Sequence, residues 1–380
     1  MIEKTRQARM LYLMNMPWDW IRARPQYLAD SLATQYHMLV LSPYVYRRRN
    51  ELRTGARTRS TRYRSWIQVP FHHRSTILEA LDRWWMSRQL AWWVRVWRPD
   101  VIWISYADLV QYLPQDVGKA IVVYDCMDDF AAFSDLTLRE ARQFLANEAE
   151  LVGRTAAVFV SSQYLQTRLR DRYGSKCSPV LVRNAFGGSV LPAVERSISS
   201  RRAGTRIGYV GNMDTPDWAA ISKTLDSVPC LAYDFFGPAA RVPDLFWRPD
   251  VQWHGVVAHE ELAEAVMQDD CLVVPYWVND RVLAQDSVKL YDYVNIGKPI
   301  VSVWYPEIER FRPFVEFYRT PDEFVSVLKQ LIADGFPRKY TEEQRLAFLA
   351  ENTWNKRAEI IDRVLKGLAQ SDAPRDGSRV

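Results

Sequence analysis

Thirteen residues near the carboxyl end, Ser287-Val288-Lys289-Leu290-Tyr291-Asp292-Tyr293-Val294-Asn295-Ile296-Gly297-Lys298-Pro299, combine the groups whose types and spacing have the clearest chemical use. They run into the apolar stretch Ile300-Val301-Ser302-Val303 and read as a helix that opens on small and cationic groups and stops at Gly297. A helix N-terminus presents backbone N–H groups without intrahelical partners, together with positive dipole density, and so suits a diphosphate. Ser287 adds a hydroxyl donor there, and Lys289 adds a full charge within the first turn. Asp292, three residues after Lys289, can accept hydrogen bonds from two vicinal hydroxyls, as on a ribose. One segment thus offers groups for both ends of a nucleoside diphosphate. An ordinary amphipathic helix, capped by Gly297 ahead of a buried strand, explains the same pattern without a ligand.

The surrounding chain supplies the elements such a helix needs. Short apolar runs alternate with helical patterns, which predicts βα units and parallel sheets. Strands are expected at Met10–Asn15, Met38–Ser42, Val101–Ser105, Ala120–Tyr124, Ala157–Ser161 and Val180–Val182. A second series follows at Arg206–Val210, Ala232–Phe236, Val251–Trp253, Cys271–Pro275 and Pro299–Val303. Helices are expected at Pro25–Gln35, Thr76–Trp97, Leu138–Val152, Asp322–Ala333, Thr341–Ala350 and Trp354–Ala369. The Ser/Arg-rich run Ser197–Arg202 reads as a linker. The domains predicted are 1–190 and 203–350, with a helix at 351–370 returning to the first domain and a disordered tail at 371–380. A chain of 380 residues is long enough for two cores.

At 48% hydrophobic and 25% charged, the sequence is globular in composition. Cys126, Cys177, Cys230 and Cys271 are scattered with no paired spacing, which speaks against a disulfide framework or zinc site and for a reducing cytoplasm. No leader pattern and no stretch of 18 uninterrupted apolar residues is present. Charge, however, is uneven. From Tyr44 to Arg98 there are 13 arginines and three acids, a local +10 in a chain of +5. The same window holds Trp66, Trp84, Trp85, Trp92, Trp93 and Trp97. Arginine with tryptophan suits an anionic membrane surface. A solvated loop over Arg47–Arg64, followed by a core helix with buried tryptophans, is the plainer alternative. Nucleic acid would accept the same mixture, but no helix-turn-helix, RRM or zinc-finger pattern accompanies it, and none is expected as a partner. His72-His73 lies in this window and reads as surface.

The helix of the opening paragraph resembles the nucleotide-sugar-binding helix of GT-B glycosyltransferases, in the S-x-K-L-x-E/D-Y-x-x-x-G-K-P form of GT4-like bacterial polysaccharide enzymes. Other stretches are similar to that family in the same order. Trp18-Asp19-Trp20-Ile21-Arg22-Ala23-Arg24-Pro25-Gln26-Tyr27-Leu28-Ala29 resembles the loop and helix after its first strand, and Val123-Tyr124-Asp125-Cys126-Met127-Asp128-Asp129-Phe130 its acidic loop. Ile207-Gly208-Tyr209-Val210-Gly211-Asn212 resembles the first strand and turn of its second domain. Val251-Gln252-Trp253-His254-Gly255 with Glu260-Glu261-Leu262 resembles the strand and helix ahead of the donor site.

The resemblance implies an α/β chain with two Rossmann-like, doubly wound domains facing each other across a cleft. It also implies transfer of a sugar from a nucleotide donor, expected to be UDP-linked, to a lipid-linked or growing polysaccharide acceptor. Gly211, His254, Tyr276, Ser287, Lys289 and Asp292 are the donor-site residues it marks, with packing an equal explanation for Tyr276. Xanthan-type glucuronosyltransferases take their base from the acidic loop, and the match falls on Asp128. Asp129 and Asp19 are alternatives, and a carboxylate crowded by others has a raised pKa suited to a base. Retaining members carry E-x7-E; here Asp292 holds the second position but the first is Ala284, so inversion is expected unless Gln285 or Asp286 substitutes. Arg22 and Arg24 are expected contacts for a lipid diphosphate. No DxD stands in a metal-binding context, so neither metal nor other cofactor is expected. The enzyme would sit in the cytoplasm, peripheral at the inner face of the plasma membrane. A non-catalytic subunit of an assembly complex and a GT-B-shaped sugar-nucleotide epimerase are the rivals.

Overall fold

The computed structural model describes residues 6–44, 61–71, 74–133, 136–192 and 204–371, which divide into two units. In the first, β1 (Arg9–Leu13), β2 (His37–Pro43), β3 (Arg62–Trp66), β4 (Val101–Ile104), β5 (Ile121–Cys126), β6 (Ala157–Val160) and β7 (Val180–Leu181) form one sheet in the order β3-β2-β1-β4-β5-β6-β7. Every pairing is parallel. Apart from the edge strand β3, the strands are largely apolar runs because parallel sheets are covered on both faces; Met10 to Met14 are fully buried. Crossover helices are α1 (Arg24–Leu32), α2 (Thr76–Trp97), α3 (Leu138–Arg154) and α4 (Gln163–Tyr173). Ser75 caps α2 by accepting from the Leu78 amide, and Thr137 with Glu140 forms a capping box at α3.

The second unit spans Asn184–Thr353 among the described residues. Its strands β8 (Thr205–Val210), β9 (Leu231–Phe236), β10 (Val251–Trp253), β11 (Cys271–Val274), β12 (Ile300–Val303) and β13 (Val315–Tyr318) pair in the order β10-β9-β8-β11-β12-β13, again all parallel. Helices α5 (Trp218–Ser227), α6 (Leu262–Ala265), α7 (Asp280–Leu283), α8 (Val288–Ile296), α9 (Pro321–Ala333) and α10 (Glu342–Glu351) connect and cover them. The strand order reverses between β8 and β11, the position where open α/β sheets bind ligands outside their carboxyl ends. The chain then re-enters the first unit through α11 (Trp354–Ser371), which packs on α1: Trp354 stacks on Tyr27 at 5.4 Å, and Tyr36 donates to Asp362 at 2.9 Å.

Five of these elements escape the sequence pattern: β3, α4, α5, α7 and β13. β3 (Arg-Tyr-Arg-Ser-Trp) overlaps the end of the stretch Arg47–Arg64 read as a basic loop; it is an edge strand, and its alternation shows only once paired with β2. The linker 197–202, His72-His73, Arg47–Arg49 with Arg53, and residues 372–380 lie outside the described residues.

Candidate functional site

The predicted helix begins and ends where the sequence places it. Ser287 is the N-cap of α8, and Gly297 closes it in the left-handed region at φ 82°. Tyr293 bolts α8 to the end of β8 by accepting from the Val210 amide at 2.9 Å. At the far end, buried Arg345 donates to the carbonyls of Asn295 and Leu191.

Ser287 is 4% exposed, and its hydroxyl has no hydrogen-bond partner in the structure, not even the cap bond to its own helix. An orphaned buried hydroxyl is costly to leave unmet, about 1–3 kcal/mol. Beside it, Lys289 donates to the Tyr276 hydroxyl at 2.7 Å and lies 5.8 Å from the Tyr209 ring. Burial works against the ammonium, but Tyr276, Tyr209 and Asp292 around it outweigh that effect and hold the proton on. Lys289 passes directly over Gly211: a Cβ there would stand 2.1 Å from the lysine Cε, and Gly211 sits at φ 154°, where side chains are rarely found.

Asp292 accepts from the Gly187 amide at 3.1 Å, and His259 approaches its other oxygen at 3.3 Å. Asp286, the acid nearest to Ala284, is buried. Its carboxylate is locked by the Asn184 amide, the Tyr291 hydroxyl and Arg310. His254 turns away from the strand end, its Nε2 2.7 Å from Asp234 and its ring stacked on Phe236 at 4.5 Å. Arg206 joins Asp234 at 2.6 Å; burial resists the Asp234 charge, but Arg206 and His254 more than offset this and lower its pKa. Next to that pair, buried Asp269 is pushed up to about 9, first by desolvation and then by Asp234, against the pull of Lys298 and Arg206.

In the first unit the acidic loop follows β5 as predicted, but the crowding argument fails. Asp125 is fully buried and held at 2.7 Å by Arg24. Asp129 is equally buried, bonded by Arg172 through both oxygens at 2.8 Å and approached by Arg168 at 3.4 Å. Arginines therefore neutralise both neighbours of Asp128, which is half-buried with its backbone carbonyl against the Cys126 thiol. The same pairing corrects the expectation for Arg24: it is 3% exposed, bound to Asp125 and the Val182 carbonyl, and holds the fold. Arg22 pairs with Asp30 at 2.6 Å over the Tyr27 ring, and Asp19 is half-buried in the preceding loop.

Sequence reasoning missed Gly237, whose amide donates to the Gly255 carbonyl at 2.6 Å, and His259 beside Asp292. Gly211, Gly237 and Gly255 each follow a strand of the second unit, a repetition visible in the sequence. Among the described residues, no group of three or more His, Cys, Asp or Glu is placed to hold a metal ion.

No protein-family profile matches this sequence. TuaH of Bacillus subtilis (strain 168), whose name assigns it provisionally to teichuronic acid biosynthesis as a glycosyltransferase, is 25% identical over 245 residues, covering 59% of this chain and 62% of TuaH. The match thus spans less than two thirds of that relative. Among solved structures, sucrose-phosphate synthase from Thermosynechococcus elongatus superimposes with a TM-score of 0.73 at 12% identity, over 96% of this chain and 100% of that one. The lipopolysaccharide outer core galactosyltransferase WaaB gives 0.62 at 11%, over 94% and 99%. HepE from Anabaena, solved in complex with UDP, gives 0.60 at 14%, over 94% and 100%. The chain has the GT-B fold of these glycosyltransferases.

Proposed function

We propose that this protein is a glycosyltransferase that takes a sugar from a UDP-sugar and passes it to a lipid-linked or growing polysaccharide acceptor in cell-surface glycan synthesis. The observation that carries this reading is the start of α8, where an unmet buried Ser287 hydroxyl, the Lys289 ammonium and the Gly211 turn converge. An anionic ligand would satisfy all three, and the dipole of α8 points the same way. Supporting it are HepE, solved with UDP, and TuaH, named for a cell-surface polymer.

In this reading Ser287, Lys289 and the α8 amides hold the diphosphate and take up charge as it leaves, an electrostatic role that needs no metal ion. Asp292 receives the ribose hydroxyls. Gly211 clears the path for the phosphates as it does for Lys289. Asp128 takes the proton of the acceptor hydroxyl as that oxygen attacks the anomeric carbon, and the sugar is transferred with inversion. The work would take place at the cytoplasmic face of the membrane that holds the acceptor.

A thermal-shift series with UDP, GDP and TDP tests the donor site, with UDP expected to stabilise most. Turnover of the matching UDP-sugar, with the product configuration read by NMR, tests the chemistry. No stabilisation by any nucleoside diphosphate would remove the proposal, and a retained product would remove the Asp128 role.

A further inference from the structure

The side of α2 turned away from its own sheet has no part in that reaction. Asp82, Met86 and Leu90 form the buried side of this helix. On the opposite side Ile77, Leu81, Trp84, Trp85, Trp92 and Val96 recur at helical spacing, with Ile77 79%, Trp84 56% and Trp92 54% exposed. Arg88 and Arg95 are exposed on the same stripe. The two acids of the helix are both off it: Asp82 is buried and accepts from the Val69 amide at 2.6 Å, and Glu79 lies round the helix from Ile77. At 22 residues, α2 carries the stripe over about 33 Å. Just before it, exposed Phe71 lies under Arg74 at 4.4 Å.

At its far end, Arg9, Trp92, Arg95, Val96 and Arg98 line an open cavity of about 520 Å³. His37, against Trp97 at 4.7 Å, is held below its ordinary pKa by burial and then by Arg62, Arg9 and Arg6, so positive charge is concentrated there. A helix apolar all round is normally covered all round, and an exposed row of this size marks an interaction surface.

We propose that α2 lies flat in the headgroup layer of an anionic bilayer, with its tryptophans and aliphatic side chains at interfacial depth, Arg88 and Arg95 on lipid phosphates, and the Arg9–Arg95–Arg98 cavity receiving one headgroup. This rests on the lipid-linked acceptor of the proposed function and names the surface that brings the enzyme to it. Charge selects the occupant. A twofold pairing with a second copy would set the arginines of one stripe against those of the other, whereas anionic lipid neutralises them. Among the described residues no helix is long and apolar enough to cross a membrane, so α2 would lie on the bilayer and not span it.

The test uses the full chain with phosphatidylcholine vesicles, with and without phosphatidylglycerol, comparing wild type with Trp84→Ser/Trp92→Ser and Arg88→Glu/Arg95→Glu. Wild type should sediment with the anionic vesicles, and brominated lipid should quench its tryptophan emission. Each double variant should bind about tenfold more weakly or worse. Unchanged UDP stabilisation of the variants confirms that they are folded. Wild type indifferent to phosphatidylglycerol, or variants binding as wild type does, overturns the proposal. So does a dimer that both double variants dissociate, which assigns the stripe to a second copy. Vesicle binding without any UDP binding supports this surface while removing the function proposed above.

Discussion

Gly237 stands so close to Gly211 that a Cβ on it would lie 1.9 Å from the Gly211 carbonyl oxygen. The two turns after β8 and β9 are therefore packed backbone to backbone, and Lys289 occupies the space left on the other side of Gly211. Alanine should act differently at the two positions. At Gly237 it meets rigid backbone and should destabilise the second unit by about 2 kcal/mol or more, seen as a lowered melting temperature. At Gly211 the nearest obstacle is the movable end of Lys289, so Gly211→Ala should reduce UDP affinity about tenfold with a smaller change in melting temperature.

Lys289→Met keeps the apolar stem and removes the charge. Its UDP dissociation constant, measured calorimetrically, should rise about 10- to 100-fold, the worth of a charge-assisted hydrogen bond in a partly buried site. Asp292→Ala should weaken uridine and UDP alike, whereas Lys289→Met should leave uridine unaffected. Equal losses for both ligands in both variants would detach these residues from the two ends of the nucleotide.

Asp128→Asn should lower kcat by about two to four orders of magnitude while the UDP-sugar still binds, as expected for loss of a positioned base. Asp129→Asn should instead lower thermal stability, because it strips a buried charge from Arg172; breaking such a pair costs about 3–5 kcal/mol. A catalytic loss at Asp129 without loss of stability would exchange the two roles.

Asp269 predicts the pH response of the second unit. Its acid is raised from 3.8 to about 9, so the folded chain keeps a proton that the unfolded chain releases above pH 4 or so. The stability it contributes is full below the ordinary carboxylate range and is lost progressively as pH rises from there to about 9. Melting temperatures at pH 5, 7 and 9 should fall in wild type, on the order of 5 °C across the range, and fall less in Asp269→Asn, which mimics the neutral acid. Parallel curves for the two proteins would count against a neutral Asp269.

The strands and most helices were legible because parallel sheets turn burial directly into apolar runs, and α8 because its N-cap serine and terminal glycine bound it so clearly. What stayed hidden depends on partners far away in sequence. Nothing local tells that Arg24 turns inward to meet Asp125, 101 residues on, or that Arg172 pairs with Asp129, so both acids looked available. His254 read as a strand-end group because its partner Asp234 belongs to the neighbouring strand. The tryptophans of α2 fit a core helix and a surface one equally well, since the apolar residues cover both sides of it. Exposure, which composition does not contain, separates the two.

The return of α11 to the first unit bears on the order in which this protein can be completed during synthesis. Tyr36 meets Asp362 across a sequence separation of 326, and Trp354 covers Tyr27. On the ribosome, the first unit to begin is thus the last to finish: residues 184–353 leave the exit tunnel, and can close their own sheet, ahead of the helix that covers α1. Until then the apolar side of α1 is bare. A nascent chain in that interval exposes a surface that chaperones bind, and chains ending at residue 353 but held on the ribosome by a linker that spans the exit tunnel should show the second unit protease-resistant while the first is still readily cut.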